Sequence, residues 1–384
     1  MYDVLPSDVL VADRESALPP GPGATLGPRA LNRALLERQL LLRRQPARVA
    51  DTLEHLVGMQ AQSPNAPYYG LWSRLSDFEP DDLAGLVDRR LVVRIALMRW
   101  TLHVVTAHDC LALRPLLQPV MDRRLRGLLG RHLGDVDLDE LVVLGRELVD
   151  LTPRTLGEIG TLLAERWPGH EPSVLGNALA ALAPLVHVPP RGLWGRNGRA
   201  TQTTAERWLG RPLHGAGRTD ELLLRYLAAF GPARIDDMRT WSGLRGLNDA
   251  VDRLRPRLRH FRDEHGHELL DVPDGPLPDP DTPAPPRFLP GGDNAVLSHA
   301  DRSRIVCDAH RRCVTAHRTF LVDGFVRGTW KVFHGPKVTT LAISPLAPIG
   351  RADRLALAEE GMRLLAFAAG EDADTRVSVR FDDR

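Results

Sequence analysis

Two glutamines separated by one small apolar residue have a type and spacing that could do chemistry. Gln60, Ala61 and Gln62 follow a helical pattern that stops at Gly58, and Pro64 biases the residue before it to extended backbone. In an extended segment residues i and i+2 point to the same side, so the two amides form a pair while Ala61 faces the core. Such a pair can orient one water molecule or a ribose oxygen without adding charge. An ordinary polar surface loop is the alternative interpretation.

Helices followed by a strand-rich run recur three times along the chain. The first run, LVVRIALMRWTLHVVTA, reads as a β-strand, and the later ones read as hairpins, at 186–202 and around a turn at Glu264–Gly266. This order is a winged-helix signature that many α+β domains share. We therefore predict an α+β fold with three such units, at 27–135, 136–215 and 216–272. Helices are predicted at Pro80–Arg90, Thr155–Arg166, Val174–Leu185, Asp220–Phe230, Arg234–Ser242 and Leu247–Leu254.

The remaining segments differ in composition from these units. Residues 1–26 are rich in proline and glycine and are predicted to form a flexible arm. Seven prolines within 273–287 exclude a helix or a central strand, so this stretch is a linker or an extended brace. The part at 288–384 is predicted to be β-rich, with one amphipathic helix at 352–368 and a last strand, RVSVRF.

Composition excludes several classes of protein. Hydrophobic residues make up 43% and charged residues 26% of the 384 residues, which argues against wholesale disorder. Three cysteines are too few for a disulfide scaffold, and neither a signal peptide nor an apolar run of membrane-spanning length is present, so we expect a cytoplasmic, nucleoid-associated protein. The chain lacks the motifs GxxxxGK[ST], GxGxxG, GxSxG and HExxH, which counts against phosphoryl transfer, dinucleotide oxidoreductases and the commonest hydrolases.

Charge is unevenly distributed although the formal net charge is only +1. Residues 89–131 carry nine arginines and two aspartates, and 287–337 carry nine basic and four acidic residues. Residues 51–88 have one arginine against seven acidic residues. The basic segments could line one groove for a phosphate backbone, or they could be separate solvated helix faces.

One cysteine and histidine cluster has a metal-like composition. Cys307, His310, Cys313 and His317 would extend over about 15 Å along a helix, too far for one tetrahedral ion. An irregular loop could gather them, but the neighbouring arginines would oppose a cation. We expect no metal and no other cofactor.

Four stretches together resemble one bacterial protein family. They are LVGMQAQSPNAPYYGLWSRL, LMRWTLHVVTAHDCLALRPLL, FLPGGDNAVLSHADRSRIV and LVDGFVRGTWKV. They resemble the AlkZ-like family of winged-helix DNA glycosylases, which includes the azinomycin-resistance interstrand-crosslink branch and the wider YcaQ-like branch. The resemblance covers residues 28–384 in order.

The resemblance implies both an architecture and a reaction. It implies three tandem winged helices in a C-shaped, DNA-binding arrangement with a β-rich C-terminal part. The implied reaction removes N7-alkylated purines, including bulky adducts or interstrand crosslinks, in DNA repair and antibiotic self-resistance. The family's catalytic signature, Gln–apolar–Gln or Asp, corresponds to Gln60, Ala61 and Gln62. A glutamine at the last position resembles the crosslink-resistance branch, whereas Ala61 is smaller than the usual apolar residue.

The chemistry implied is compatible with neutral amides. Alkylation at N7 makes guanine a cationic leaving group, so no strong general acid is needed, and the transition state has oxocarbenium character at C1′. Gln60 and Gln62 would hydrogen bond a water poised at C1′. A crosslink is too bulky for a closed base pocket, so we expect an open site. No lyase activity is expected, because neither lysine lies near the motif.

The partner implied is double-stranded DNA carrying alkylated purines or crosslinks, bound by a monomer. Arg99, Thr101 and His103 alternate on the strand after the second arginine cluster and are expected on one face of it. A polar stretch near residue 300 and one late strand add to the same groove. An exposed sheet face, or pairing of Arg302 and Arg304 with Asp301, is the alternative, and Trp330 is expected in the core. The predicted DNA-binding residues are Arg99, Thr101, His103, His299, Arg302, Arg304, Arg327 and Lys331.

Two other function classes remain open at this point. A non-enzymatic winged-helix DNA-binding protein or transcriptional regulator would use the glutamines to read or face DNA. Such a regulator is usually shorter and dimeric and has an effector domain, so three winged units in one chain favour an enzyme. An inactive relative that recruits repair proteins is the third possibility.

Overall fold

The computed structural model describes residues 21, 23–215, 218–311, 317–335, 338–369 and 376–382. Its fold is α+β, as predicted. The helices α1 to α16 are, in order, Pro28–Arg38, Val49–His55, Ala66–Trp72, Pro80–Asp88, Ala107–Leu116, Gln118–Leu128, Gly130–Leu133, Leu138–Leu151, Leu156–Ala164, Pro172–Leu182, Ala205–Leu209, Thr219–Phe230, Ile235–Ser242, Asn248–Leu254, Asn294–Leu297 and Arg351–Ala369.

The strands form three sheets. Strands β1 to β14 are, in order, Thr25–Leu26, Met59–Gln60, Val92–Ala96, Leu102–Thr106, Arg154–Thr155, Leu185–His187, Thr201–Thr204, Arg259–Asp263, Glu268–Asp271, Arg287–Leu289, Thr319–Val322, Phe325–His334, Val338–Pro345 and Arg376–Phe381. The sheet orders are β1-β8-β9, β10-β11-β12-β13-β14 and β2-β4-β3-β6-β7-β5.

The six-stranded sheet joins two copies of the same connectivity. In each copy a short first strand is followed by two helices and a hairpin, and the first strand pairs with the last strand of the hairpin. The copies meet where β3 pairs antiparallel with β6, through Arg94 opposite His187 and Ile95 opposite Val186. The third copy has the helices α12 to α14 and the hairpin β8–β9, with Ala233 bridging Leu270 in place of a first strand. The division into three units, their winged-helix assignment and their C-shaped arrangement stay predictions.

Two sequence expectations differ from the structure in detail. The run expected as one strand after Leu91 is a hairpin, β3 and β4, because a tight turn with residues of positive φ reverses the chain at Arg99 and Trp100. The end of the expected N-terminal arm, Thr25–Leu26, is strand β1, which pairs in parallel with β8. Residues 1–20 and 22 of the arm lie outside the described residues.

The proline-rich stretch is an extended brace along α1. The guanidinium groups of Arg33 and Arg38 donate to the carbonyl oxygens of Thr282 (2.7 Å) and Pro276 (3.1 Å). The five-stranded sheet follows the proline-rich stretch in the chain. This sheet, α16 and α3 pack together around one hydrophobic core. Trp330 is buried in this core and donates its indole N–H to the carbonyl of Leu289, which confirms the predicted packing role.

Candidate active site

Strand β2, at the edge of the six-stranded sheet, contains Gln60, and Gln62 follows directly after it. Helix α2 ends at His55, and Val57 (φ 54°) and Gly58 (φ 85°) turn the chain into β2. A Cβ atom on Gly58 would lie 2.4 Å from Cγ1 of Val105, so only glycine fits this approach. The turn therefore fixes where the motif begins, directly against β4.

The glutamine side chains are held by different partners. Arg99 Nη2 donates to Gln60 Oε1 (2.9 Å), and the backbone N–H of Leu102 donates to Gln62 Oε1 (2.8 Å). Ala61 is fully buried, as predicted, while Gln60 is half-buried and Gln62 is exposed. A guanidinium and a backbone N–H can only donate, so both amide oxygens must face the protein. Each oxygen keeps a second lone pair, and neither amide N–H₂ group has a hydrogen-bond acceptor among the described residues.

A cavity of about 10 Å³ adjoins Gln60 and is the size of one water molecule. The loop before α15 forms one of its walls, through Pro290, Asp293 and Asn294. Asn294 Nδ2 donates to the carbonyl of Gly58 (3.2 Å), whereas its buried Oδ1 has no partner among the described residues. The structure thus places an unused acceptor beside the Gln60 amide.

The same loop is locked against the motif. Asp293 forms a two-fold ion pair with Arg74, which follows α3, at 2.8 and 2.9 Å, and both side chains are buried. A Cβ atom on Gly292 (φ 79°) would lie 2.7 Å from Gln60 Nε2. Residues separated by about 230 positions therefore meet at one place.

Arg99 lies in a strained turn beside Gln60. Arg99 and Trp100 both have φ near 59°, a backbone conformation that residues other than glycine rarely adopt. Besides Gln60, its guanidinium binds the carbonyl of Trp241 (2.7 Å). Burial, and then the charge of Arg302, lowers the pKa of Arg99 to about 10. Its charge is held by neutral oxygens alone among the described residues.

A basic cleft of about 300 Å³ opens beside Arg99. It is lined by arginines from α6 and from the α13–α14 region, one of which, Arg239, also pairs with Asp236 (2.6 Å). Its arginines are Arg99, Arg123, Arg124, Arg239 and Arg245. The cleft combines the 89–131 segment with residues 239–245, whereas the charge pattern predicted a groove shared by 89–131 and 287–337. Arg302 of the 287–337 segment does not line the cleft but acts on Arg99 electrostatically.

Three predicted DNA-binding residues are buried, which contradicts direct contact with DNA in this conformation. His103, His299 and Arg304 expose 0%, 1% and 5% of their surface. His103 is opposite Gln60 in the β2–β4 register and faces the interior, and burial lowers its pKa to about 3, so the ring is neutral. His299 contacts the carbonyl of Phe230 (3.1 Å) through Nε2, and Arg304 donates to that of Pro232 (2.7 Å). These three side chains therefore make contacts inside the protein.

The other predicted residues are accessible. Arg302 and Thr101 are half-buried, and Thr101 donates to the carbonyl of Met98 (3.0 Å). Arg327 and Lys331 are exposed on β12. They are four residues apart, which places both side chains on the same face of the strand. Asp301 pairs with Arg311 (2.9 Å) instead of the two arginines that sequence reasoning considered.

Sequence reasoning missed Arg94, Gly292 and the arginines of α13 and its loop as site residues. Arg94 Nε and Nη2 donate to the carbonyl oxygens of Ala61 (2.8 Å) and Gln62 (3.2 Å), which fixes the backbone of the motif. A single arginine among the branched apolar residues of β3 is the signal that could have drawn attention to it.

Within the described ranges, no three His, Cys, Asp or Glu side chains are placed to share a metal ion. Cys307 is exposed, and Cys313 of the cluster considered above lies outside the described residues. No described helix is both long and apolar enough to cross a membrane.

Comparisons with known proteins identify the family of the chain. No curated protein matches it. The structure of the Streptomyces sahachiroi DNA glycosylase AlkZ has a similar fold, with a TM-score of 0.70 and 21% identity over 93% of this chain and 100% of that one. The sequence profile described as "DNA glycosylase AlkZ-like" matches residues 53–367. The chain therefore belongs to the AlkZ-like DNA glycosylase family.

Proposed function

We propose that this protein is a monofunctional DNA glycosylase that hydrolyses the N-glycosidic bond of N7-alkylated purines, including bulky adducts or interstrand crosslinks. The observation that carries the proposal is the meeting of Gln60 with Arg99, Gly292 and the water-sized cavity. Membership of a glycosylase family supports the reaction class. The lesion and a role in antibiotic self-resistance are inferred from the resemblance described above.

The proposed mechanism uses the hydrogen-bonding positions of the two amides that the protein leaves unoccupied among the described residues. A water beside Gln60 donates to a remaining lone pair of an amide oxygen or to Asn294 Oδ1, so its own oxygen can face C1′. Neutral amides remove no proton in advance, so the leaving group must already be cationic. This restricts the enzyme to lesions such as N7-alkylguanine. The C1′–N9 bond breaks and the base leaves as a neutral molecule, the water oxygen bonds to C1′ of the oxocarbenium-like sugar, and its extra proton passes to solvent water.

The dimensions around Gln60 support an open site. A cavity of about 10 Å³ cannot hold a purine, so the base stays outside it and the sugar approaches the glutamines. A bulky adduct or a second strand then meets no enclosing wall. We propose that a monomer binds double-stranded DNA along the basic cleft, with Arg302, Arg327 and Lys331 as further backbone contacts.

A non-enzymatic DNA-binding protein is the second candidate function. This function would explain the basic cleft equally well. It gives no reason for the strained backbone of Arg99, which binds Gln60, or for the close approach of Gly292 to the Gln60 amide. Strain of this kind occurs at functional sites, where it preorganises reacting groups.

One assay separates the candidates. Purified protein is incubated with a duplex that carries N7-methylguanine or a bifunctional crosslink, and the products are heated in alkali. We expect strand cleavage at the lesion after alkali and intact strands without it, because a monofunctional enzyme leaves an abasic site. The proposal fails if wild type produces no abasic sites. A Gln60→Ala, Gln62→Ala double variant that produces as many as wild type would remove the glutamines from the mechanism.

A further inference from the structure

A second positively charged cluster lies where the two halves of the six-stranded sheet join. Arg94 of β3 is directly opposite His187 of β6, and Arg191 follows in the β6–β7 loop. Burial, and then the charge of Arg191, lowers the pKa of Arg94 to about 10. Burial, and then both arginines, lowers the pKa of His187 to about 3. No carboxylate contributes to either shift among the described residues.

Two buried nitrogens of this cluster are unused. Arg94 is only 8% exposed, and its Nη1 has no hydrogen-bond partner among the residues that the structure describes. The same holds for Nδ1 of His187. A buried guanidinium without an anion is costly, and an unpaired donor adds to that cost. The cluster therefore has the composition of an anion site whose anion comes from outside the chain.

The cluster is also preformed beside the glutamines. The other two donors of Arg94 hold the carbonyls of Ala61 and Gln62, so its guanidinium has a fixed position relative to the motif. The loop with Arg191 is anchored because the hydroxyl of Tyr68 donates to the carbonyl of Gly192 (2.9 Å). Arg191 is half-buried, which leaves it accessible to a ligand.

We propose that Arg94, His187 and Arg191 form a binding site for one backbone phosphate of DNA, next to the lesion nucleotide. The proposal rests on the proposed function, since it takes DNA as the ligand. Guanidinium groups bind phosphate oxygens by charge-assisted, often paired hydrogen bonds. A phosphate at this site would set the register of the strand, and through Arg94 it would be tied directly to the backbone of Gln62.

The test pairs one protein variant with one altered phosphate. Duplexes with N7-methylguanine carry a single neutral methylphosphonate, moved one linkage at a time through the positions flanking the lesion. Binding is measured by fluorescence anisotropy and base release under single-turnover conditions, for wild type and Arg191→Gln. Arg196→Gln is the matched control, because Arg196 is an exposed arginine of the same loop outside the cluster.

We expect one linkage at which the methylphosphonate weakens wild-type binding roughly tenfold. At the same linkage the methylphosphonate should not weaken the binding of Arg191→Gln any further. Arg196→Gln should keep the full sensitivity at that linkage. The inference is overturned if Arg191→Gln binds as wild type does, or if it remains sensitive at every linkage. Excision without this coupling would refute the phosphate site alone, whereas the coupling without excision would refute only the glycosylase.

Discussion

Two groups of arginines in this protein differ in what their guanidinium ions bind. Arg38 and Arg74 each bind an aspartate, Asp271 and Asp293, through two hydrogen bonds, and all four side chains are buried. Within the part of the chain that the structure describes, Arg94 and Arg99 bind only backbone carbonyls and one amide oxygen. The first group connects distant parts of the chain, whereas the second surrounds Gln60 and Gln62.

The difference indicates two separate roles. The charge of Arg74 is neutralised by the carboxylate of Asp293. The pair therefore holds the loop at residue 293 against α3 without attracting a ligand. An arginine held by neutral oxygens keeps its charge while its geometry is fixed. Beside a site that we propose to act on DNA, such charges attract the phosphate backbone and position the amides that face the sugar.

Breaking the Arg74–Asp293 pair should have the largest effect, and it should act on stability. Arg74→Met leaves the Asp293 carboxylate buried and unpaired, which costs about 3–5 kcal/mol of unfolding free energy. Urea denaturation followed by circular dichroism measures the loss. Arg48→Met, which removes the exposed Arg48–Asp51 pair, is the control and should change little. Equal losses in both variants would mean that burial does not distinguish the pairs.

Removing Arg99 should have the next largest effect, and it should act on the reaction. Arg99→Gln frees Gln60 Oε1 and lets the amide rotate, so we expect the single-turnover rate to fall about 100-fold. Stability should change much less than in Arg74→Met, because no carboxylate is left unpaired. A variant that is strongly destabilised yet keeps its rate when folded would place Arg99 with the structural group.

Crowding the Gln60 amide should have a smaller effect on the rate. Gly292→Ala adds a Cβ atom 2.7 Å from Gln60 Nε2, and we expect the rate to fall about tenfold. Gly246→Ala is a matched control, since Gly246 also has a positive φ (66°) but no atom within 4 Å of the added Cβ. If both variants lose the same activity, backbone strain rather than contact with Gln60 is responsible.

The smallest effect is expected in the basic cleft. Arg245→Gln removes one exposed charge, so the affinity for undamaged duplex should fall modestly. The slope of log K against log salt concentration should become shallower by about 0.9, the value for one lost phosphate contact. Anisotropy titrations at several salt concentrations measure this slope, and an unchanged slope would exclude Arg245 from the DNA path.

Local patterns in the sequence predicted the elements but not which charges are buried. Helices α9, α10 and α12 to α14 lie within a few residues of their predicted positions, because apolar spacing and caps are local signals. Ala61 was predicted to be buried for the same reason. The positions of Arg94 and Arg99 depend on how β4 pairs with both β2 and β3, which no single segment contains.

The misassigned residues show the same limit. Alternation along a strand places His103 among the predicted DNA contacts, and a polar stretch typical of the family places His299 and Arg304 there. In the fold, the sheet face of His103 is covered and the stretch at 299–304 packs against residues 230–237. Resemblance to a family identified the motif, whereas only tertiary contacts distinguish supporting residues from exposed ones.

The central claim is that Gln60 and Gln62 perform the reaction rather than merely contact DNA. The most direct measurement is the single-turnover rate of N7-methylguanine release by the Gln60→Ala, Gln62→Ala double variant at saturating enzyme, with duplex affinity measured on the same preparation. We predict a rate reduced by at least about 1000-fold, near the uncatalysed background, with affinity close to that of wild type. A rate within a few-fold of wild type at equal affinity would contradict the claim.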